Sequence, residues 1–190
     1  MRARGTLLDR IRQRARVRRL NRSPGVAVAS SGYLAKSAMI QTTSDGVWFG
    51  GSVVVAERVS ISDGVTVATY GGSIEIGESV YIGPYAVLYG HGGLSIGKHT
   101  MIGAHTVIVA ANHGFERLDV PMNAQPLTKE GIHIGEDVWI GAGCQILDGV
   151  HVGDHAIIGA GSVVTKSVDA YAVAYGVPAV AVRSRKDQRR

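Results

Sequence analysis

His113 is the residue in this sequence best placed for proton chemistry. It ends a run of regularly spaced aliphatic residues, and directly after it comes the stretch 114–131, which holds Pro121, Asn123 and Pro126 and no hydrophobic repeat. Loops of that length inside a regular array are usually functional or disordered. Imidazole ordinarily titrates at about pH 6.5, so a histidine facing such a loop can take the proton of a hydroxyl near neutrality. An ordinary exposed loop histidine is the competing reading. Lys166 and Arg183 can meet phosphate groups, one as a point charge and the other as a planar fork; standing alone they would be solvated charges at the fraying end of the repeat. The single Cys144 has no partner for an internal disulfide and falls on an inward small position, which makes it a packing residue rather than a nucleophile. His99 and His105, six apart, read as solvated turns, as do His133, His151 and His155.

These residues hang on a repeat of six. Ile134, Ile140, Ile146, Val152, Ile158 and Val164 recur at a spacing that neither a helix nor simple strand alternation produces. Four residues after each comes a second small or branched side chain, Val138, Cys144, Val150, Ala156, Ser162 and Val168, which extended backbone turns to the same side. Glycine follows the aliphatic residue twice and is then missing: Gly135, Gly141, Leu147; Gly153, Gly159, Thr165. The full period is therefore eighteen residues, which predicts a three-sided coil of short parallel strands with successive coils about 4.8 Å apart.

The same pattern runs through Ile76, Ile82 and Leu88, then through Ile96, Ile102 and Ile108, with a two-residue slip at 91–95 that predicts a bulge at a corner. Val55, Ile61 and Val67 keep the step without glycine and read as degraded first coils. His113 is the sixth residue of its hexad, so alternation points it outward. The other outward sixth positions are Tyr81, Met101, Trp139 and Ile157 on one face, Val87, Val107, Gln145 and Val163 on another, and His151 and Asp169 beside His113 on the third. Two apolar faces and one polar face suit a ring of identical subunits, which joins two different patches of each. A homotrimer with its sites between subunits is expected.

Hexads of the form Ile-Gly-x-x-Val-x-Ile-Gly, ending in Gly159-Ala160-Gly161-Ser162-Val163-Val164-Thr165-Lys166 and closing through Ala174-Tyr175-Gly176-Val177-Pro178-Ala179, resemble the hexapeptide-repeat acyltransferases. Within them the chain is similar to the maltose/galactoside O-acetyltransferase branch and the polysaccharide O-acetyltransferases near it. The resemblance covers roughly residues 60–183. It implies an all-β fold, a left-handed parallel β-helix, whose winding opposes the usual right-handed crossover. It also implies acetyl-CoA as co-substrate, no metal, and direct transfer to a hydroxyl of a saccharide or glycan acceptor in one ternary complex.

In that family the base is a histidine at the place of His113. The acyl-CoA contacts fall on Ala142, Ala160, Thr165, Lys166, Val180 and Arg183. Ala142 replaces a serine, so its contact would be through the backbone, and its N–H is the candidate oxyanion donor. The acceptor contacts fall on Tyr70, Gly71, Gly83 and His91. Thr69-Tyr70-Gly71 resembles the family's Ser-Tyr-Gly, whereas Gly83 and His91 stand where the family has Asn and Asp. That departure speaks against galactoside or maltose and for a larger or lipid-linked glycan. A xenobiotic (antibiotic) acceptor remains open, although the Tyr-Pro-Phe stretch of that branch is absent, and so does N-acetylation of an amino sugar. A non-catalytic trimeric scaffold is the alternative from another class. A hexapeptide-repeat carbonic anhydrase would need three histidines converging on zinc, and the family's histidine pair five apart is missing.

The rest of the chain sets bounds. With 190 residues, 45% of them hydrophobic, it suits one domain, and 26 glycines argue against a helix-rich architecture. There is no run of eighteen apolar residues and no apolar leader in 1–22, so neither a membrane span nor a secretory signal is expected, and cytoplasmic residence follows. The net charge of +5 hides an asymmetry: residues 1–22 carry +8 and residues 183–190 carry +4, leaving −7 on residues 23–182. An acidic body with basic ends speaks against nucleic acid and for local contact with phosphates or a membrane surface. The segment from Thr6 to Leu20 is expected to be helical, with Leu7, Leu8, Ile11, Ala15 and Leu20 as a thin apolar side. Such an Arg-rich helix in residues 1–22 suits the anionic inner face of a membrane, where a lipid-linked acceptor would be found; a solvated tail or packing on a neighbouring subunit is the alternative. The expected organisation is thus an Arg-rich segment 1–22, a β-helix domain 23–182 with loop 114–131, and a basic tail 183–190.

Overall fold

A computed structural model of the protein describes residues 6–44, 47–48 and 50–187. The start of the basic segment 1–22 and the end of the tail 183–190 lie outside the described residues. From Val26 onward the chain winds into a three-sided solenoid. The first sheet stacks Val26–Val28, Ser52–Val55, Ser73–Ile76, Leu94–Ile96, Ile132–Ile134 and His151–Val152. The second stacks Tyr33–Leu34, Ser60–Ile61, Tyr81–Ile82, Met101–Ile102, Trp139–Ile140 and Ile157–Ile158, and closes with the hairpin Ala172–Gly176 and Ala179–Ser184. The third stacks Met39–Gln41, Thr66–Ala68, Val87–Tyr89, Val107–Val109, Gln145–Ile146 and Val163–Val164. Pairing between coils is parallel and in register, so Ile82, Ile102, Ile140 and Ile158 form one column.

That column and its two counterparts are the core. Each step of six brings an aliphatic residue inside, and the second inward position of each hexad is buried as well: Val138, Cys144, Val150, Ala156, Ser162 and Val168. Full burial of one such aliphatic side chain stabilises by about 1.5–3 kcal/mol. Thr100 and Thr106 take inward places, and their hydroxyls bond to the coil above. Thr106 donates to the Gly141 carbonyl at 2.9 Å and accepts from the Cys144 N–H at 3.3 Å, and Thr100 does the same with Gly135 and Val138. These bonds remove the cost of burying a polar group.

The interrupted glycine pattern has a steric cause. At the corner between the second and third sheets a Cβ on Gly103 would lie 2.5 Å from the Ala142 nitrogen, and one on Gly141 would lie 2.5 Å from the Ala160 nitrogen. The corner between the first and second sheets is equally tight, with Gly97 against Gly135. The corner between the third and first sheets carries Tyr89, Val109, Leu147 and Thr165 instead. It is the open edge of the prism, and the long loop leaves from it.

One coil more precedes the glycine-free coil of Val55, Ile61 and Val67. Val28, Leu34 and Ile40 keep the step of six, with Ala29, Ala35 and Gln41 where glycine would stand, and they form the N-terminal coil. The expected helix is present as α1, Leu7–Leu20, begun by a reciprocal cap between Thr6 and Asp9. It lies across the open end of that first coil. Arg16 donates to the carbonyls of Ala35 and Ala38, the Asn21 side chain bonds both the N–H and the carbonyl of Val28, and Val17 is buried beneath it. The thin apolar side faces away from the coil. Leu7, Leu8, Ile11 and Ala15 are exposed, and of that stripe Leu20 alone turns inward. A solenoid end presents unpaired backbone groups, so long polar side chains dock there better than leucines. No helix among the described residues is long and apolar enough to cross a membrane.

Candidate active site

Three rings meet at the open edge. Tyr70, with φ of 45°, turns its ring outward at the end of the second coil. His91 occupies the equivalent place one coil on and stacks on it, centroids 4.6 Å apart with 14° between planes. Tyr89 closes the group edge-on, 5.0 Å from Tyr70. Burial and a hydrogen bond with Tyr70 hold the Tyr89 hydroxyl above its ordinary range.

Burial pushes His91 below the ordinary imidazole value, and the Lys129 ammonium adds to this while Asp148 opposes it. His113 stands close enough to His91 to contribute in the same direction. The two-residue slip expected at 91–95 is what makes room for this arrangement. A Cβ on Gly92 would come within 2.7 Å of the Lys129 carbonyl carbon, so only glycine lets the loop return directly over the His91 corner.

His113 is exposed, in accord with its outward assignment. It does not continue the first sheet, however. Asn112–His113 pairs antiparallel with Leu127–Thr128, so the loop leaves and returns as a short clasp. Within it Met122–Ala124 forms a 3-10 turn, and the buried Gln125 side chain bonds the N–H and carbonyl of Arg117 and the carbonyl of Val120. Asp148 holds the returning strand by accepting from the N–H groups of Glu130 (3.1 Å) and Gly131 (2.9 Å). The stretch 114–131, which has no repeat in sequence, is thus tied at both ends. Tyr89, Lys129 and Asp148 were not among the sequence candidates. The signal available for Tyr89 and for the Leu147-Asp148 corner is the missing glycine of the third hexad, which marks the edge where side chains replace tight stacking.

The other candidates separate into groups. Thr165 and Lys166 lie on the same open edge as His113, beyond the Leu147-Asp148 corner. Ala142 and Ala160 stack at the glycine corner between the second and third sheets, where Gly161 N–H donates to the Ala142 carbonyl at 2.8 Å. Ala142 is an exposed residue, and its nitrogen lies against the Gly103 turn of the neighbouring coil. Gly83 stacks beneath Gly103 on this same corner, so it does not join Tyr70, Gly71 and His91. Val180 and Arg183 lie on the closing hairpin, paired with Tyr175 and Val173. Within one protomer, therefore, His113 and the Ala142 corner occupy different edges of the prism.

The remaining histidines divide between turns and strands. His99 and His105 are exposed corner residues with φ near +60°, as expected of turns. His155 is also a corner residue, but it is bracketed, with Asp137 on Nδ1 at 2.9 Å and Tyr171 stacked on its ring. His133 and His151 are strand residues on the outer side of the first sheet, not turns. With Ser95, Glu75 and Glu130 they line a shallow cleft of about 270 Å³. The Cys144 thiol is buried and pushed up by that burial, and it donates to the Gly159 carbonyl at 3.2 Å. Among the described residues no three His, Cys, Asp or Glu side chains converge as a cation site requires.

Comparison with known proteins agrees with the coiled fold. Residues 131–166 match the model of the bacterial transferase hexapeptide (six repeats) family. The candidate colanic acid biosynthesis acetyltransferase WcaF of Escherichia coli K12 is 31% identical over 140 residues, covering 74% of this chain and 70% of that protein. The galactoside O-acetyltransferase of Lactococcus lactis is 33% identical over 121 residues, covering 63% of this chain and 58% of its own length. A candidate acetyltransferase of Mycobacterium tuberculosis is 25% identical over 132 residues, and the chain spans only 44% of that protein's length.

Among solved structures, an N-acyltransferase of Bacillus cereus crystallised with dTDP-4-amino-4,6-dideoxyglucose and coenzyme A superposes with TM-score 0.74 at 24% identity over 90% of both chains. A galactoside acetyltransferase in complex with coenzyme A gives TM-score 0.56 at 30% identity, covering 71% of this chain and 63% of that one. The solenoid is accordingly the left-handed parallel β-helix of these proteins, preceded in this chain by α1.

Proposed function

Because this chain belongs to the hexapeptide-repeat acyltransferases, we propose that it transfers an acetyl group from acetyl-CoA to a hydroxyl of a saccharide or glycan, with His113 as general base. The observation that carries this reading is the placement of His113. It is exposed at the mouth of a tied loop, near enough to His91 to act on its charge, and His91 stacks on the exposed ring of Tyr70, an aromatic surface of the kind against which a sugar ring packs.

The acceptor oxygen attacks the thioester carbonyl carbon while His113 takes its proton. The backbone N–H of Ala142 receives the oxyanion of the tetrahedral adduct. Collapse of the adduct breaks the C–S bond, and the departing thiolate of coenzyme A recovers the proton from the imidazolium. Lys166 and Arg183 hold the nucleotide phosphates, and Ala160, Thr165 and Val180 line the path of the pantetheine arm. No residue carries the acyl group covalently, since the Cys144 thiol is buried and held neutral. His113 and Ala142 stand on different edges of one protomer, so the reaction requires a neighbouring subunit, and the assembly is a homotrimer. Tyr81, Met101 and Trp139, all between 43% and 52% exposed on the second sheet, form the apolar contact.

The names of the relatives support sugars as acceptors. Thiol release from acetyl-CoA, followed across sugars, amino sugars, exopolysaccharide fragments and aminoglycosides, tests the proposal. Transfer to hydroxyls of the saccharides is the expected result. Transfer to amines alone would replace it with N-acetylation, and undetectable coenzyme A binding would leave the trimeric scaffold.

A further inference from the structure

The first turns of α1 present Leu7, Leu8 and Ile11 to the outside, 74%, 63% and 54% exposed, and nothing among the described residues covers them. Their side of the helix is opposite the one that docks. Gln13, Arg16, Val17 and Leu20 face the first coil, and a rotation of 100° per residue carries Leu7, Leu8 and Ile11 to the far side. Because α1 touches Val28, Leu34 and the Ala35–Ala38 corner together, it lies flat across the end of the solenoid, and its far side faces away from the body.

α1 also carries Arg10, Arg12, Arg14, Arg18 and Arg19, with Arg22 just beyond it, all exposed, and a rotation of 100° per residue puts Arg14 and Arg18 on the same side as the three aliphatic side chains. The one acid of the helix, Asp9, is occupied in capping Thr6. The solenoid itself carries −7 over residues 23–182, and of the two basic ends this one is the stronger, +8 on residues 1–22 against +4 on residues 183–190.

We infer that the outer side of α1 docks the protein onto a bilayer containing anionic lipid, the helix lying in the headgroup plane with Leu7, Leu8 and Ile11 inserted. Arginine stems reach past an apolar strip to put their guanidinium groups among phosphates, and this combination of protruding aliphatic groups with a basic surround distinguishes a membrane face from a nucleic-acid face. A polyanion needs the arginines and leaves the leucines bare. Docking at this end would set the loop edge and its site perpendicular to the membrane surface, and it does not depend on the reaction proposed above.

Co-sedimentation of the full-length protein with vesicles of phosphatidylcholine, and with vesicles in which a third of the lipid is phosphatidylglycerol, tests the inference. Binding to the anionic vesicles alone is expected, weakening as salt is raised. Replacing Leu7, Leu8 and Ile11 together by Ser should weaken binding by about tenfold or more. Each of Arg14→Gln and Arg18→Gln should weaken it by about fivefold. Thermal unfolding should be unchanged in all of these variants, since Arg16 and Val17 still seat the helix. The inference is overturned if the wild-type protein ignores anionic vesicles or if the triple Ser variant binds them as well as wild type. It is equally overturned if that variant changes self-association instead, or if short duplex DNA is held more tightly than the vesicles.

Discussion

His91 and Tyr70 lie ring on ring, 4.6 Å between centroids, although a full coil of the solenoid separates them in sequence. The stack leaves His91 Nδ1 buried with no hydrogen-bond partner among the described residues. A neutral ring tolerates that position and an imidazolium does not. Burial, with the Lys129 charge beside it, accordingly holds His91 below its ordinary value.

The pH dependence follows in sign. As pH falls through about 6.5 the unfolded chain takes up a proton at this position before the folded one does, so stability is lost on the acid side, from that value down towards the lowered native one. His91→Phe keeps a ring for Tyr70 and removes the titration. Its melting temperature should therefore fall less than that of the wild type between about pH 7 and pH 5. An equal fall in both proteins would show that His91 is protonated in place.

His113→Ala should lower turnover by about two to four orders of magnitude while leaving the Michaelis constant for acetyl-CoA and the oligomeric state nearly unchanged. The side chain is exposed and fills no core, so the melting temperature should hold. Steady-state kinetics beside a thermal melt checks both halves. Full activity in this variant would move the base elsewhere, with His91 as the first alternative.

Lys166→Ala and Arg183→Ala should each raise the apparent Michaelis constant for acetyl-CoA, more so at low salt, with a smaller effect on turnover. In one protomer the first lies on the open edge and the second on the closing hairpin. Mixing the two variants in one oligomer should therefore restore part of the affinity if the cofactor lies between subunits. Absence of any restoration would place both residues on one subunit's cofactor.

Trp139→Asp should dissociate the oligomer without unfolding the coil, because the indole is 52% exposed on the outer side of the second sheet. Ile140→Ala, one residue on, should do the reverse. That side chain is fully buried, and its truncation should cost about 2–5 kcal/mol in chemical denaturation. Sedimentation velocity separates the two effects. A Trp139→Asp protein that sediments as wild type would remove the second sheet from the interface.

Thr106→Val should destabilise although it keeps the shape and adds apolar surface. The hydroxyl donates to Gly141 and accepts from Cys144 inside the corner below Ala142. Leaving those backbone groups unpaired costs about 1–3 kcal/mol. Urea unfolding would show it, and an unchanged midpoint would mean that the corner relaxes to let water in.

The step of six by itself defines the three sheets, the inward pair in each hexad and the outward face of His113. This is because one side of a coil is a single local unit, a strand and its turn, whose inside and outside follow from backbone alternation. The N-terminal coil is not legible although Val28, Leu34 and Ile40 keep the step, since the fifteen residues from Ile40 to Val55 are not a multiple of six and break its phase with the coils that follow. That α1 lies on the end of the first coil is not legible in the sequence, because its seat is made by Arg16 and Asn21 bonding backbone groups of Ala35, Ala38 and Val28 rather than by its leucines.

The grouping of the candidate residues was beyond the sequence altogether. Which edge a residue occupies depends on its phase in the eighteen-residue period and on where the loop inserts, so Tyr70, His91 and His113 converge while Gly83, which had been grouped with Tyr70 and His91, goes to the corner of Ala142. Lys129 and Asp148 joined the site only through the returning strand of the loop, a contact between distant segments that no local pattern encodes.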